Sequence, residues 1–168
     1  MITVKTYVSI DRKWYDDFIP KKDYSKYFIE YDKNNLDDLK VFTREGRTYG
    51  FVDIEYTSQN ILGSEEFGSI NDIWLVYFQL VEQFLKNGKG SECFPDYECY
   101  LTLEANKNNG ITLTIGNERK DYDIDPYYFC KEIIKGAKTY FETYAIVKEN
   151  NDYGEFIKEN INPLLNKL

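Results

Sequence analysis

The stretch LTLEANKNNGITLTI, residues 101–115, decides the fold. Leu101, Leu103 and Ala105 alternate with Thr102 and Glu104, a period of two that puts apolar side chains on one face of a strand. Asn108-Asn109-Gly110 follows, a triplet that tolerates positive φ and so suits a tight reversal. Ile111, Leu113 and Ile115 then alternate with Thr112 and Thr114. Two amphipathic strands joined by so short a turn pair antiparallel. Gly116-Asn117 is a second turn, and Tyr122 and Ile124 extend the meander. Upstream, Pro95 opens the first of these strands, with Tyr97 and Cys99 in the inward register.

The N-terminal region carries the same period. Ile2, Val4, Val8 and Ile10 alternate with Thr3, Lys5, Tyr7 and Ser9, with Thr6 in the apolar register. Residues 11–26 read as a long loop with room for a short helix. Tyr27, Ile29 and Tyr31 suggest a short strand. After a turn at Asn34-Asn35, Leu39, Val41 and Phe42 suggest another, with a hairpin tip at Glu45-Gly46. Val52, Ile54 and Tyr56 mark one face of a strand over residues 48–57, and residues 60–68 read as a loop.

Helices punctuate this pattern. Ser69 offers an N-cap with Asp72 three residues on. Ile70, Ile73, Trp74, Tyr77, Val81 and Phe84 follow at helical spacing, and Leu75, Val76 and Phe78 widen the stripe, so this helix should be the most buried. Gly88 and Gly90 end it. Asp125-Pro126 caps a second helix striped by Cys130, Ile133, Ile134, Ala137, Phe141 and Tyr144. Asn150-Asn151-Asp152 breaks it. A last helix carries Phe156, Ile157 and Ile161, bent or ended by Pro163. The expectation is an α+β fold: an antiparallel sheet from two meander or hairpin regions, with two to three helices packed on it. At 168 residues, 1–168 reads as a single domain.

Composition narrows the chemistry. The chain has no His, which removes imidazole acid/base catalysis, Ser-His and Cys-His nucleophiles and imidazole metal ligation. Lys and Arg total 21 against 29 Asp and Glu, a net charge of −8 that repels phosphate backbones and attracts a basic partner. Only four of the cations are Arg, which with abundant Asn, Ile and Tyr fits AT-rich bacterial coding. Cys93, Cys99 and Cys130 are an odd set without a C-x-x-C pair, arguing against a disulfide framework or thiolate zinc site. Residues 1–5 lack a signal-peptide pattern, and no apolar run approaches membrane-spanning length. A cytoplasmic location, no membrane, no nucleic acid and no cofactor are expected.

Several constellations resemble sites. Asp121, Asp123, Asp125 and Glu132 have the spacing of calcium-loop ligands, but Pro126 stands where that loop needs Gly. Pro95-Asp96 with Glu118-Arg119-Lys120 spells a metal-nuclease pattern, and Glu118 falls on a turn. Asp53 and Glu55 share a strand face, and Glu65-Glu66 sits in a loop; such carboxylates run hydrolysis only if burial separates their pKa values. Gly88-Lys89-Gly90-Ser91 lacks phosphate-loop spacing. No catalytic or metal-binding residue is assigned. Trp14, Tyr15, Asp16 and Asp17 put bulky amphipathic groups beside acids in a loop, a composition suited to protein contacts.

With its strands, its Trp-bearing helix over 69–88, the Phe94-Pro95-Asp96 segment and a final amphipathic helix, this small acidic chain resembles the immunity proteins of polymorphic toxin systems. The resemblance implies a cytoplasmic, non-enzymatic binding protein that blocks a basic protein partner, a cognate toxin, by occlusion. Trp14, Tyr15, Asp16, Asp17, Asp121 and Asp123 are the candidate contacts. The alternatives are a carboxylate-based metal-dependent hydrolase and a small-molecule binding module with a Tyr-lined pocket.

Overall fold

A computed structural model describes residues 1–11, 13, 15, 17–43, 46–150 and 152–168. Trp14, Asp16, Glu45 and Asn151 therefore lie outside the described residues. Two antiparallel sheets and a set of helices make an α+β fold.

The first sheet has the strand order β2-β1-β3-β4: β1 is Ile2–Ser9, β2 Phe28–Glu30, β3 Tyr49–Tyr56 and β4 Gln59–Leu62. A two-residue β5, Gly68–Ser69, also pairs with β3. The second sheet is a meander, β6 (Lys89–Cys93), β7 (Tyr100–Ala105), β8 (Ile111–Ile115) and β9 (Glu118–Tyr122). Its β7–β8 register, Leu101 to Ile115 and Leu103 to Leu113, is that of the 101–115 hairpin, and Asn109 takes φ +60° at the turn.

The principal helices are α3 (Ile70–Asn87) and α4 (Pro126–Lys148); smaller ones are α1 (Tyr24–Tyr27), α2 (Leu36–Thr43), α5 (Asp152–Phe156) and α6 (Asn162–Leu165). Asp125 caps α4 by accepting from the Tyr128 N–H at 2.7 Å, with Pro126 at the first turn. Gly88 closes α3 at φ +75°, donating to the Phe84 carbonyl. A π-type turn, Ile157–Ile161, separates α5 from α6 next to Pro163, which has no N–H to continue an α-helical ladder.

Both sheets turn an apolar face toward α3 and α4. Ile54 and Leu62 of the first sheet meet Leu101 and Leu113 of the second around Tyr77, Val81, Phe129 and Ile133. One hydrophobic cluster runs through all of them, with Trp74 fully buried at its centre. The outer face of the second sheet is polar: Lys89 pairs with Glu104, Ser91 Oγ lies 3.0 Å from Thr102 Oγ1, and Thr112 donates to Asp121. The outer face of the first sheet is covered instead. Tyr24, Phe28, Phe51 and Phe67 make a second small core there, with Tyr7 and Tyr15 packed against it.

Several local expectations are corrected. Leu39, Val41 and Phe42 lie on α2, not a strand: Asp32 caps the preceding turn through the Asn34 N–H, Asp37 and Asp38 favour the helix N-terminus, and Leu36, Leu39 and Thr43 supply its inward side. Gly46 consequently lies between a helix and β3 rather than at a hairpin tip. Residues 60–68 are not one loop, because Thr57 and Ser58 both adopt positive φ and turn β3 back into β4. The strand expected from Pro95 begins only at Tyr100, and β6 precedes it. Gly90 belongs to β6, not to a helix end: a Cβ there would sit 2.1 Å from the Leu80 carbonyl oxygen, so only glycine lets the strand lie against α3. Ser69 occupies the N-cap of α3 without a side-chain cap; its own N–H donates to Asp96 Oδ2 at 2.6 Å.

Candidate functional site

The β4–β5 connection, residues 63–67, is the junction of the molecule. Its side chains leave in three directions. Ser64 Oγ accepts from the Ile19 N–H at 3.3 Å and donates to the Ile19 carbonyl at 3.0 Å, tying down the segment that follows β1. Phe67 enters the small aromatic core against Phe28 and Tyr15. Glu66 turns toward the second sheet.

Glu66 is only 7% exposed. Its Oε2 accepts from the Gly63 N–H at 2.8 Å, while the Glu66 N–H donates to the Gly63 carbonyl at 3.1 Å, closing a tight reciprocal turn. A cleft of about 230 Å³ opens beside it, walled by Asn60, Glu65, Glu66, Ile115, Glu118 and Lys120. Burial pushes the Glu66 carboxyl up to about 7, and the neighbouring charge of Glu65 adds to the rise; the Gly63 amide and Lys120 oppose it. The charge on Glu66 in turn reaches Tyr77, Tyr97, Cys99 and Tyr122, each raised mainly by its own burial. Besides the charged Glu65 and Lys120, the groups it acts on are thus ones that stay neutral near pH 7. Lys120, which lies 3.5 Å from Glu118, is the cation in the cleft wall.

Such an arrangement can receive a positive charge. Glu65, Glu66 and Glu118 line the cleft with one ammonium, that of Lys120, and among the described residues Glu66 makes no ion pair. The volume lies below the roughly 300–1,000 Å³ of small-molecule sites. It is sized for one side chain.

The described sequence-derived contacts fall on two segments, the one that follows β1 and the one from β9 to α4. Tyr15 packs edge-on against Phe28 and Phe67, with ring centroids 5.4 and 5.8 Å away, and its hydroxyl donates to Asp11 Oδ2 at 3.0 Å. Its ring is therefore part of the small core. Asp17 is exposed in the same segment. Trp14 and Asp16 are outside the described residues. Asp121 sits on the outer face of β9, next to the cleft residue Lys120, and Asp123 is exposed on the way to α4.

The other constellations separate. Asp96 is tied to the Ser69 N–H, whereas Glu118 and Lys120 line the cleft with Glu66. Asp121 takes the Thr112 hydroxyl, Asp125 caps α4 and Glu132 pairs with Lys135 at 2.6 Å, so the calcium-loop spacing gathers nothing. Among the described residues no three of His, Cys, Asp and Glu come together to hold a metal ion. Asp53 and Glu55 do share a face, but Lys21 bridges them at 2.7 and 2.6 Å and is raised because those two bonds outweigh its desolvation. A surface cavity of about 410 Å³ near the C-terminus has Leu85, Leu164 and Leu168 in its wall and one tyrosine, Tyr127.

Sequence reasoning placed Glu65-Glu66 in a loop without assigning it a role. The available signal was a pair of acids between Gly63-Ser64 and Gly68; burial of the second acid is a tertiary property. No family model, curated protein or solved structure matches this chain. No helix among the described residues is long and apolar enough to cross a membrane.

Proposed function

We propose that this chain is a non-enzymatic binding protein of the immunity type, acting on a basic protein partner by occlusion and charge complementarity. The observation that carries this reading is the buried Glu66 carboxyl in a side-chain-sized cleft with Glu65 and Glu118. A partner's Lys or Arg inserted there meets a Glu66 carboxyl already held by the Gly63 N–H, so little of its ordering entropy is lost on binding. Asp17, Asp121 and Asp123 are exposed and add to the negative field, and the net charge of −8 speeds encounter at low salt. A cognate toxin with an exposed basic active site fits this chemistry.

The test uses hexa-arginine as a cationic probe and hexa-glutamate as its control, with backbone amide shifts recorded by NMR. Saturable shifts confined to residues 60–66 and 115–123, weakened by salt and absent with hexa-glutamate, support the reading. No saturable shift, or shifts centred elsewhere, overturns it.

A further inference from the structure

Glu66 differs from the exposed acids of this molecule in being only 7% exposed, and among the described residues it makes no ion pair. Its side chain lines the cleft, and its carboxyl is held by the Gly63 N–H on Oε2 and by its own backbone N–H. The groups that face it come from every neighbouring element: Glu65 from its own loop, Glu118, Lys120 and Tyr122 from β9, Tyr77 from α3, and Tyr97 and Cys99 from the β6–β7 connection. Tyr77 is completely enclosed, and its hydroxyl has no hydrogen-bond partner among the described residues. None of these groups except Lys120 can supply a positive charge, and Lys120 is shared with Glu118.

We propose that the cleft exchanges a proton for its cation: Glu66 is protonated when the cleft is empty and ionised when a guanidinium or ammonium group is seated beside it. This rests on the cationic-partner reading and adds its regulation. The exchange balances. The O–H bond of the Glu66 carboxyl breaks, the proton passes to solvent, and the bonding electron pair remains on the carboxylate that faces the incoming cation. The net charge inside the cleft is unchanged, so the buried volume never holds an unpaired ion.

Two consequences follow from the carboxyl's position near 7. At pH 6 seating the cation must first strip the proton, so each unit of pH rise toward 7 improves affinity by up to about tenfold. Well above 7 the group is already ionised, and affinity levels off.

Calorimetry of hexa-arginine binding tests this at pH 6 in MES and in bis-Tris, and at pH 8.5 in Tris and in bicine, each pair differing in ionisation enthalpy. The difference in apparent heat counts protons released. Close to one proton at pH 6, almost none at pH 8.5, and loss of that difference in Glu66→Gln support the exchange. Binding at pH 6 with no proton released overturns the exchange and leaves the cationic reading intact. Absence of binding at both pH values overturns both. Should Glu66→Gln not fold, a carbon-13 titration of the Glu66 carboxyl in the wild-type chain decides. Its midpoint falls by a unit or more with hexa-arginine present if the exchange operates, and an unmoved midpoint overturns it.

Discussion

Trp74 donates its indole N–H to the Thr6 hydroxyl at 3.0 Å, joining α3 to β1 inside the core. Both side chains are buried, so neither can substitute water for its partner. Thr6→Val keeps the shape of the side chain and removes the acceptor. An orphaned buried donor costs about 1–3 kcal/mol, and chemical denaturation of the variant is expected to show a loss in that range. An unchanged midpoint would mean the bond contributes nothing to the junction of helix and sheet.

Stability should fall as the pH rises through neutrality. The Glu66 carboxyl moves from an ordinary value of 4.5 to about 7, chiefly by burial. A carboxyl raised on folding favours the fold while protonated. That contribution is complete below 4.5, shrinks between 4.5 and 7, and is gone above 7. Its full size is about 3 kcal/mol. Glu66→Gln keeps an acceptor for the Gly63 N–H and carries no charge. Urea denaturation should find it close to wild type at pH 4.5 and more stable by up to that amount at pH 8; a parallel pH profile in the two proteins would refute the assignment.

Two helical glycines should respond oppositely to alanine. A Cβ on Gly136 of α4 would lie 2.7 Å from both Trp74 Cη2 and Val4 Cγ1, and the indole cannot retreat in a filled core. Overpacking of this kind costs about 1–3 kcal/mol, against about 1 kcal/mol gained in helix propensity. Gly136→Ala is expected to lower the melting temperature. Gly154 of α5 has nothing within 4 Å of a built Cβ, so Gly154→Ala should raise stability by about 0.5–1 kcal/mol. Thermal unfolding of the pair checks both signs.

The elements that were legible in the sequence are those whose signals are local. The 101–115 hairpin declares itself by alternation and by Asn109-Gly110, and α4 by Asp125-Pro126 and its stripe. The misread elements are settled by distant partners. Val41 and Phe42 have the composition of a strand, yet Asp32 and the inward Leu36 and Leu39 make the segment helical. Lys89–Cys93 has no alternation of its own; pairing with β7 and the close approach of Gly90 to Leu80 make it a strand. The candidate site was least legible. Glu66 is an ordinary loop acid until β9 and the β6–β7 connection close around it. The calcium-loop spacing over residues 121–132, which Pro126 already argued against, gathers no site because Asp121 takes the Thr112 hydroxyl, Asp125 caps α4 and Asp123 faces solvent.

The most direct test of the account is the affinity of hexa-arginine for a Glu65→Gln, Glu118→Gln double variant, measured at low salt. Both side chains line the cleft, and neither is buried in the core, so the fold should survive the change. The account predicts binding weakened by about tenfold or more, with thermal unfolding little altered. Wild-type affinity in the double variant would contradict it.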